Sequence, residues 1–263
     1  MKNITTTLLI STYNWPEALS LVLKSIENQT VLPNEVIIAD DGSAKKTKNL
    51  INEFQKKFPV PLIHEWHEDL VFRKTIILNR SIKKATGEYI IQIDGDIILH
   101  PKFIADHIRF AKRGFFVKGS RGRLMVKRTE QLFNNNVITF NAFETGIKST
   151  LNTIRFPLFT PLLFGDKINT RNIKGCNFAF WKNDAIAVNG YNNEISGWGH
   201  EDIEFPARMV NYGIKKRQLK FAAVCYHIYH PILPRDNEKD NYSTYENVIN
   251  NKISRCKDGI DQV

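Results

Sequence analysis

Short apolar runs rich in β-branched residues alternate, through the N-terminal part of the chain, with stretches whose apolar positions recur at helical spacing. Thr6 to Ile10 reads as a strand, and Pro16 to Asn28 as a helix with Leu19, Val22, Leu23 and Ile26 on one face. A strand over Glu35 to Ala39, a helix from Lys45 to Phe58 and a strand over Pro61 to Glu65 follow. A helix from Lys74 to Ala85 then leads into a strand that ends at Asp94. This alternation predicts an α/β fold with a mostly parallel central sheet covered by helices on both faces. Ligands of such sheets bind beyond the carboxyl ends of the strands.

The pattern is less regular afterwards. Pro101 to Ala111 reads as a helix, and Gly114 to Val126 as strands separated by Gly119 and Gly122. From Asn134 to Thr170 the periodicity weakens, and Pro157 and Pro161 rule out a regular helix through the apolar run Ile154 to Phe164. That run is either a buried irregular segment or a mobile lid carrying apolar side chains. Gly175 to Trp181 is strand-like, and Asn183 to Val188 begins a helix. Glu201 to Tyr212 is a clearer helix, with its acidic pair in the first turn, where the macrodipole favours ionised carboxylates. A strand near Phe221 to Tyr226 and a terminal helix after Arg235 complete the reading.

Composition narrows the partners. Lysine plus arginine (37) less aspartate plus glutamate (27) leaves +10 over 263 residues, which favours an anionic partner. The densest basic stretch, Lys112 to Arg128, is interleaved with Phe115 and Phe116 and reads most simply as a solvated face. It and the Phe156 to Phe164 run could touch lipid if charge and apolar side chains share one exposed face. No RNA-binding signature or zinc finger is present, so nucleic acid is not an expected partner. No run approaches the ~18 to 20 apolar residues that span a bilayer, and the initial apolar run is too short for a signal peptide. Cys176, Cys225 and Cys256 have no metal-ligand spacing, which points to reduced thiols and a cytoplasmic setting, with peripheral contact at the inner membrane face left open.

Candidate chemistry sits where the sheet would place it. Ser11-Thr12-Tyr13-Asn14, Asp40-Asp41-Gly42-Ser43 and Asp94-Gly95-Asp96 each follow a strand. Residues i and i+2 of an extended chain face the same way at roughly 6.5 to 7 Å. Gly95 would let the chain turn so that both carboxylates approach one cation, able to neutralise phosphate oxygens. Far downstream lie Gly197-Trp198-Gly199-His200-Glu201-Asp202 and His227-Ile228-Tyr229-His230-Pro231. Trp198 between glycines offers an indole face that suits a pyranose ring. Taken singly these are ordinary turns, a charged helix start and structural histidines; their joint occurrence in this order is what carries meaning.

Together they resemble the family 2 glycosyltransferases of the GT-A fold over Thr5 to Pro101. From Gly175 to Pro231 the chain is similar to the C-terminal segment of β-1,4-galactosyltransferases and bacterial chondroitin-polymerase-type enzymes. The resemblance implies a Rossmann-like domain over 1–231, with a nucleotide-binding half (1–101) and an acceptor or catalytic half (102–231), followed by a helical extension (232–263). It implies a donor nucleotide site at Thr12, Tyr13 and Asn14, with Asp41 accepting from a base N–H, Arg73 or Lys74 near base or phosphates, and Asp94 at ribose or metal. Asp96 and His230 would hold a divalent metal, and His227 stands where galactosyltransferases keep a methionine. Imidazole favours Mn2+ over Mg2+. Asp202 would be the catalytic base with Glu201 beside it, and Trp198, Gly199 and Asn177 would contact donor or acceptor sugar.

The implied reaction is inverting transfer of a hexose or N-acetylhexosamine from a nucleotide sugar, UDP-linked by preference. The acceptor would be a saccharide or a lipid-linked saccharide in surface-glycan synthesis. A retaining transferase on the same scaffold, or a non-catalytic glycan-binding module, is the alternative.

Overall fold

The apolar runs at Thr6–Thr12 (β1) and Glu35–Asp40 (β2) are buried at every position, and that at Tyr89–Asp94 (β4) at all but the last, because helices cover both faces of their sheet. A computed structural model describes residues 4–70, 72–135, 137–164, 173–197, 199–231 and 237–263. Between these strands lie α1 (Pro16–Glu27), α2 (Lys45–Gln55), β3 (Leu62–Trp66) and α3 (Lys74–Lys84). After them come β5 (Ile97–Leu99), α4 (Phe103–Phe110), β6 (Phe115–Lys118), β7 (Gly122–Leu124), α5 (Val126–Asn135) and β8 (Ile147–Lys148). The chain continues through β9 (Phe178–Trp181), α6 (Lys182–Ala187), α7 (Glu201–Asn211), β10 (Lys215–Gln218), β11 (Cys225–His227) and α8 (Glu238–Asn250).

Seven strands form one sheet in the order β10-β6-β9-β4-β1-β2-β3, and β5-β11-β7-β8 form a second. The first four strands pair in parallel, as the alternation predicts. β9 runs antiparallel to both β4 and β6, so the sheet is mixed. Alternate residues of each strand feed opposite cores: Leu8, Ile10, Ile91 and Ile93 pack with α1 and α4, whereas Leu9, Ile37 and Ile90 pack with α3 and α7. A third cluster lies under the small sheet, where Ala18 and Leu21 of α1 meet Ile98, Leu132 and Tyr226.

The differences from the sequence reading have physical causes. Helix α5 was not expected; its buried residues include Arg128 and Thr129 with Leu132, so polar residues occupy part of its inner face. Strand β10, Lys-Lys-Arg-Gln, is an edge strand without apolar alternation, and its buried Arg217 packs its guanidinium over the rings of Phe115 and Phe164 at 4.4 and 4.2 Å. The strand expected over Phe221 to Tyr226 is confined to Cys225–His227, because Phe221 and Ala223 adopt left-handed backbone at φ 60° and 49°. Gly175–Asn177 is a 3-10 turn that leads into β9. A 3-10 turn at Thr150–Asn152 precedes the proline-bearing run, which forms another at Thr160–Leu163 and leaves much of its apolar surface exposed rather than buried.

Helix α7 carries the acidic pair and is fixed by a fully buried ion pair. The Arg208 guanidinium donates to both oxygens of Glu204, at 2.7 and 2.9 Å, and to the carbonyls of Val188 and Gly190. Removing one partner leaves a buried charge unpaired, which typically costs ~3 to 5 kcal/mol. Arg208→Met should therefore lower the thermal midpoint by about 10 °C in a calorimetric scan, while Glu204→Leu/Arg208→Met should recover much of the loss.

Candidate active site where the chain crosses between sheets

Asp94 ends β4 in the large sheet and Ile97 begins β5 in the small one, so Asp94-Gly95-Asp96 is the crossing between them. The two carboxylates consequently diverge. Asp94 Oδ1 accepts from the Ser11 hydroxyl at 2.8 Å and from Lys74 Nζ at 3.0 Å. Asp96 turns toward β11, whose antiparallel pairing with β5 sets His227 opposite Ile97. Its Oδ2 lies 3.3 Å from Nε2 of both His227 and His230. Gly95 is required by space rather than by an unusual dihedral: a Cβ there would sit 2.9 Å from Thr12 Oγ1 and 3.1 Å from the Ser11 carbonyl.

Asp96, His227 and His230 each offer a ligand atom within 4.8 Å of the others. Asp96 Oδ1 is buried without a hydrogen-bond partner, an orphan that a cation would satisfy. Burial holds the His227 imidazole below its ordinary range, against the pull of Asp96, so its ring is neutral and able to ligate. The hydrogen bond to Asp96 raises His230. These residues fit a divalent metal of the kind that accepts nitrogen ligands. Asp94 falls outside the group, its carboxylate being held on Ser11 and Lys74.

Lys74, at the start of α3, joins this strand edge to helix α7, with Nζ 3.0 Å from Asp94 and 3.5 Å from Glu201. Burial opposes its charge, but the two carboxylates outweigh it and keep the ammonium protonated. Burial pushes the Asp94 carboxyl up; Lys74 and the Ser11 hydroxyl reverse this and hold it below its usual range. Asp202, next along α7, has no such clamp among the described residues: burial and then the neighbouring Glu201 raise it to about 7, against Lys174 and Lys74. A sharp turn aims the acidic pair, with Gly197, Gly199 and His200 all at positive φ. Gly199 leaves open space where a side chain would be. Trp198 lies outside the described residues.

The remaining predicted residues line the neighbouring strand ends. Asp41 accepts from His67 Nε2 at 2.6 Å and from the Arg73 backbone N–H at 3.1 Å on Oδ2, and burial raises its carboxyl. Its loop needs Gly42 at φ +93°, where a Cβ would lie 2.6 Å from the Asp69 Cα. The Tyr13 hydroxyl donates to Asp69 at 2.9 Å. Asn14 accepts from the Ala44 N–H at 2.8 Å and its own N–H donates to Ser43, tying the first two loops together. Thr12 is buried against Gly95, and its carbonyl accepts the Asp41 N–H at 3.0 Å. The Arg73 guanidinium donates to the Glu68 carbonyl at 2.6 Å.

Asn177 takes a structural place instead of a sugar-facing one. It is 1% exposed, its amide nitrogen donates to the carbonyls of Ser120 and Ala223, and its oxygen pairs with His107 at 3.0 Å. Three residues near the site carried no signal of their own. His67 and Lys174 belong to no motif of the sequence, and Arg121, which donates to Cys176 Sγ at 2.9 Å and lies in the field of Asp94 and Asp96, stands in a run of basic residues. Inspection of every strand-end loop would have found His67, which follows β3. All three cysteines are free and buried.

Residues 7–183 match the glycosyl transferase family 2 domain, and the chain belongs to that family. Residues 163–231 match the N-terminal domain of galactosyltransferase. The chain is 24% identical to the chondroitin synthase of Escherichia coli over 257 residues, covering 89% of this chain and 36% of that protein. It is likewise 24% identical to a hyaluronan synthase of Pasteurella multocida, covering 78% of this chain and 23% of that protein. It thus spans about a third or less of these relatives' length. Among solved structures, a Pyrobaculum calidifontis mannosyltransferase in complex with GDP-Man and Mn2+ superimposes with TM-score 0.57 at 19% identity, covering 89% of this chain and 58% of that one. GalNAc-T7 with UDP, GalNAc and Mn2+ gives TM-score 0.64 at 16% identity, covering 88% and 45%. At these identities they establish the fold, that of the GT-A glycosyltransferases.

Because its folded pKa lies above that of an unfolded aspartate, Asp202 binds more protons in the native state, so its presence lowers stability as pH rises from about 4 through 7. Asp202→Asn should melt a few degrees higher than wild type at pH 8 and no higher at pH 4, measured by scanning calorimetry.

Proposed function

We propose that this chain is a metal-dependent, inverting glycosyltransferase that moves a hexose or N-acetylhexosamine from a nucleotide sugar, UDP-linked by preference, to a saccharide acceptor. The observation that carries the reading is Asp202, an unclamped carboxylate poised to about 7 beside a Lys74-bridged pair of acids. A general base works best with a pKa near the operating pH. A silent glycan-binding module would have no use for such a group.

In this reading the donor's base lies against the loops after β1 and β2. Asp41 Oδ2 accepts the base N–H while His67 and the Arg73 amide orient the carboxylate. Asp96, His227 and His230 would hold the divalent cation. When bound, that ion supplies positive charge to the donor diphosphate, which becomes the leaving group. Lys74 holds Glu201 and Asp94 in place at the carboxyl edge of the sheet. Asp202 accepts the proton of the acceptor hydroxyl as its oxygen bonds to the anomeric carbon, and the bond from that carbon to the diphosphate oxygen breaks on the opposite face. The anomeric configuration inverts. The names of the relatives, synthases of chondroitin and hyaluronan, support a surface glycan as acceptor.

Asp202→Asn should lower transfer by about two to four orders of magnitude while calorimetry shows UDP binding within twofold of wild type; unaltered turnover would remove Asp202 as the base. Wild-type kcat/KM should rise with pH to a plateau above about 7, since the base must be deprotonated. NMR of the product's anomeric proton decides inversion. His230→Ala should weaken Mn2+ binding, read by calorimetry, by roughly tenfold or more, because losing a ligand costs at least as much as losing the partner that orients one.

A further inference from the structure

The segment ahead of residue 165 exposes a continuous row of large apolar side chains: Phe156 (45%), Leu158 (72%), Phe159 (51%), Leu162 (77%) and Leu163 (42%). Single exposed apolar residues are ordinary on a protein surface, but a contiguous patch marks a contact site. The backbone beneath is anchored. The Phe156 N–H donates to the Phe221 carbonyl, and the Thr160 hydroxyl to the Lys220 carbonyl, each at 2.8 Å. Arg155 grips Asp106 through two hydrogen bonds of 2.8 and 2.7 Å, and Phe164 packs edge-on against Phe110 at 5.6 Å. Phe156 and Phe159 stack at 4.7 Å. The apolar tips are therefore presented by a fixed platform and are not a loose lid.

Exposed cations flank that platform. Lys220 is exposed beside Phe221, whose carbonyl holds the Phe156 N–H, and the exposed Arg109 lies 5.3 Å from the Phe110 ring on which Phe164 packs. The acid that the platform contacts, Asp106, is already neutralised by Arg155. Charge and apolar surface thus share one face, on a chain of net charge +10. Among the described residues no helix is long and apolar enough to cross a membrane.

We propose that Phe156 to Leu163 inserts into the headgroup region of an anionic lipid bilayer, with Arg109 and Lys220 on the acidic headgroups. Interfacial binding of this kind combines buried apolar area with attraction to anionic lipid. Two copies meeting through this face would oppose like charges, and the exposed side chains of the row carry no groups to pair with sugar hydroxyls. The inference is independent of the transferase reading, since its readout is partition.

In vesicle flotation the wild-type chain should rise with phosphatidylcholine vesicles containing phosphatidylglycerol and remain below with phosphatidylcholine alone. Leu158→Ser/Leu162→Ser should weaken partition by about tenfold or more, and Lys220→Glu should weaken it less and flatten its salt dependence. UDP binding should be unchanged in both. Wild-type protein that ignores anionic vesicles, or a double variant that floats equally well, overturns the proposal. So does light scattering in which the leucine changes merely convert a dimer to a monomer.

Discussion

Like charges crowded at one edge of a sheet are the constraint on which this molecule turns. Asp94, Asp96, Glu201 and Asp202 come together from three elements where water is partly excluded, and their mutual repulsion would open the cleft if nothing countered it. Lys74 bridges Asp94 and Glu201, Arg121 adds positive field at Asp94 and Asp96, and two histidines flank Asp96. Compensation is uneven, and the unevenness is chemically useful. Asp94 is held ionised by direct contacts, while Asp202 is left to feel burial and Glu201. Groups of one chemical type, under different local neutralisation, are driven to different protonation states.

The scaffold makes this possible by splitting its strands between two sheets. Parallel β1, β2 and β4 deliver their loops to one edge, while β5 leaves that edge to pair with β11 and so brings the His227 and His230 region within reach of Asp96. Helix α7 closes the cleft from a third direction. Its own position depends on Arg208, which converts an otherwise costly buried Glu204 into a link with the turn at Val188 to Gly190. Stability far from the chemistry therefore sets the aim of the acids in it.

The exposed apolar platform at Phe156 to Leu163 gives the chain a second kind of surface. Catalytic groups need shielding from water, whereas the Phe156 to Leu163 row faces it, and only a partner that removes the row from water accounts for its cost.

Hydrophobic periodicity alone determined the alternating strands and helices of the first half, since residues buried on both faces leave continuous apolar runs that no loop would carry. It also located the three strand-end loops, because parallel strands place their carboxyl ends together. Asp96, His227 and His230 were grouped only by the resemblance to the family, which also left Asp94 as a candidate and the choice between one histidine and both open. Tertiary structure alone decided the rest. Whether Asp94 joins the cation or Lys74 depends on the chain changing sheets at Gly95, a register that local pattern does not encode. Asn177 looked available until folding surrounded it with His107, Ser120 and Ala223. Lys74, His67 and Arg121 take their roles from partners that are distant in sequence, and electrostatic coupling follows distance in space, which only the folded chain defines.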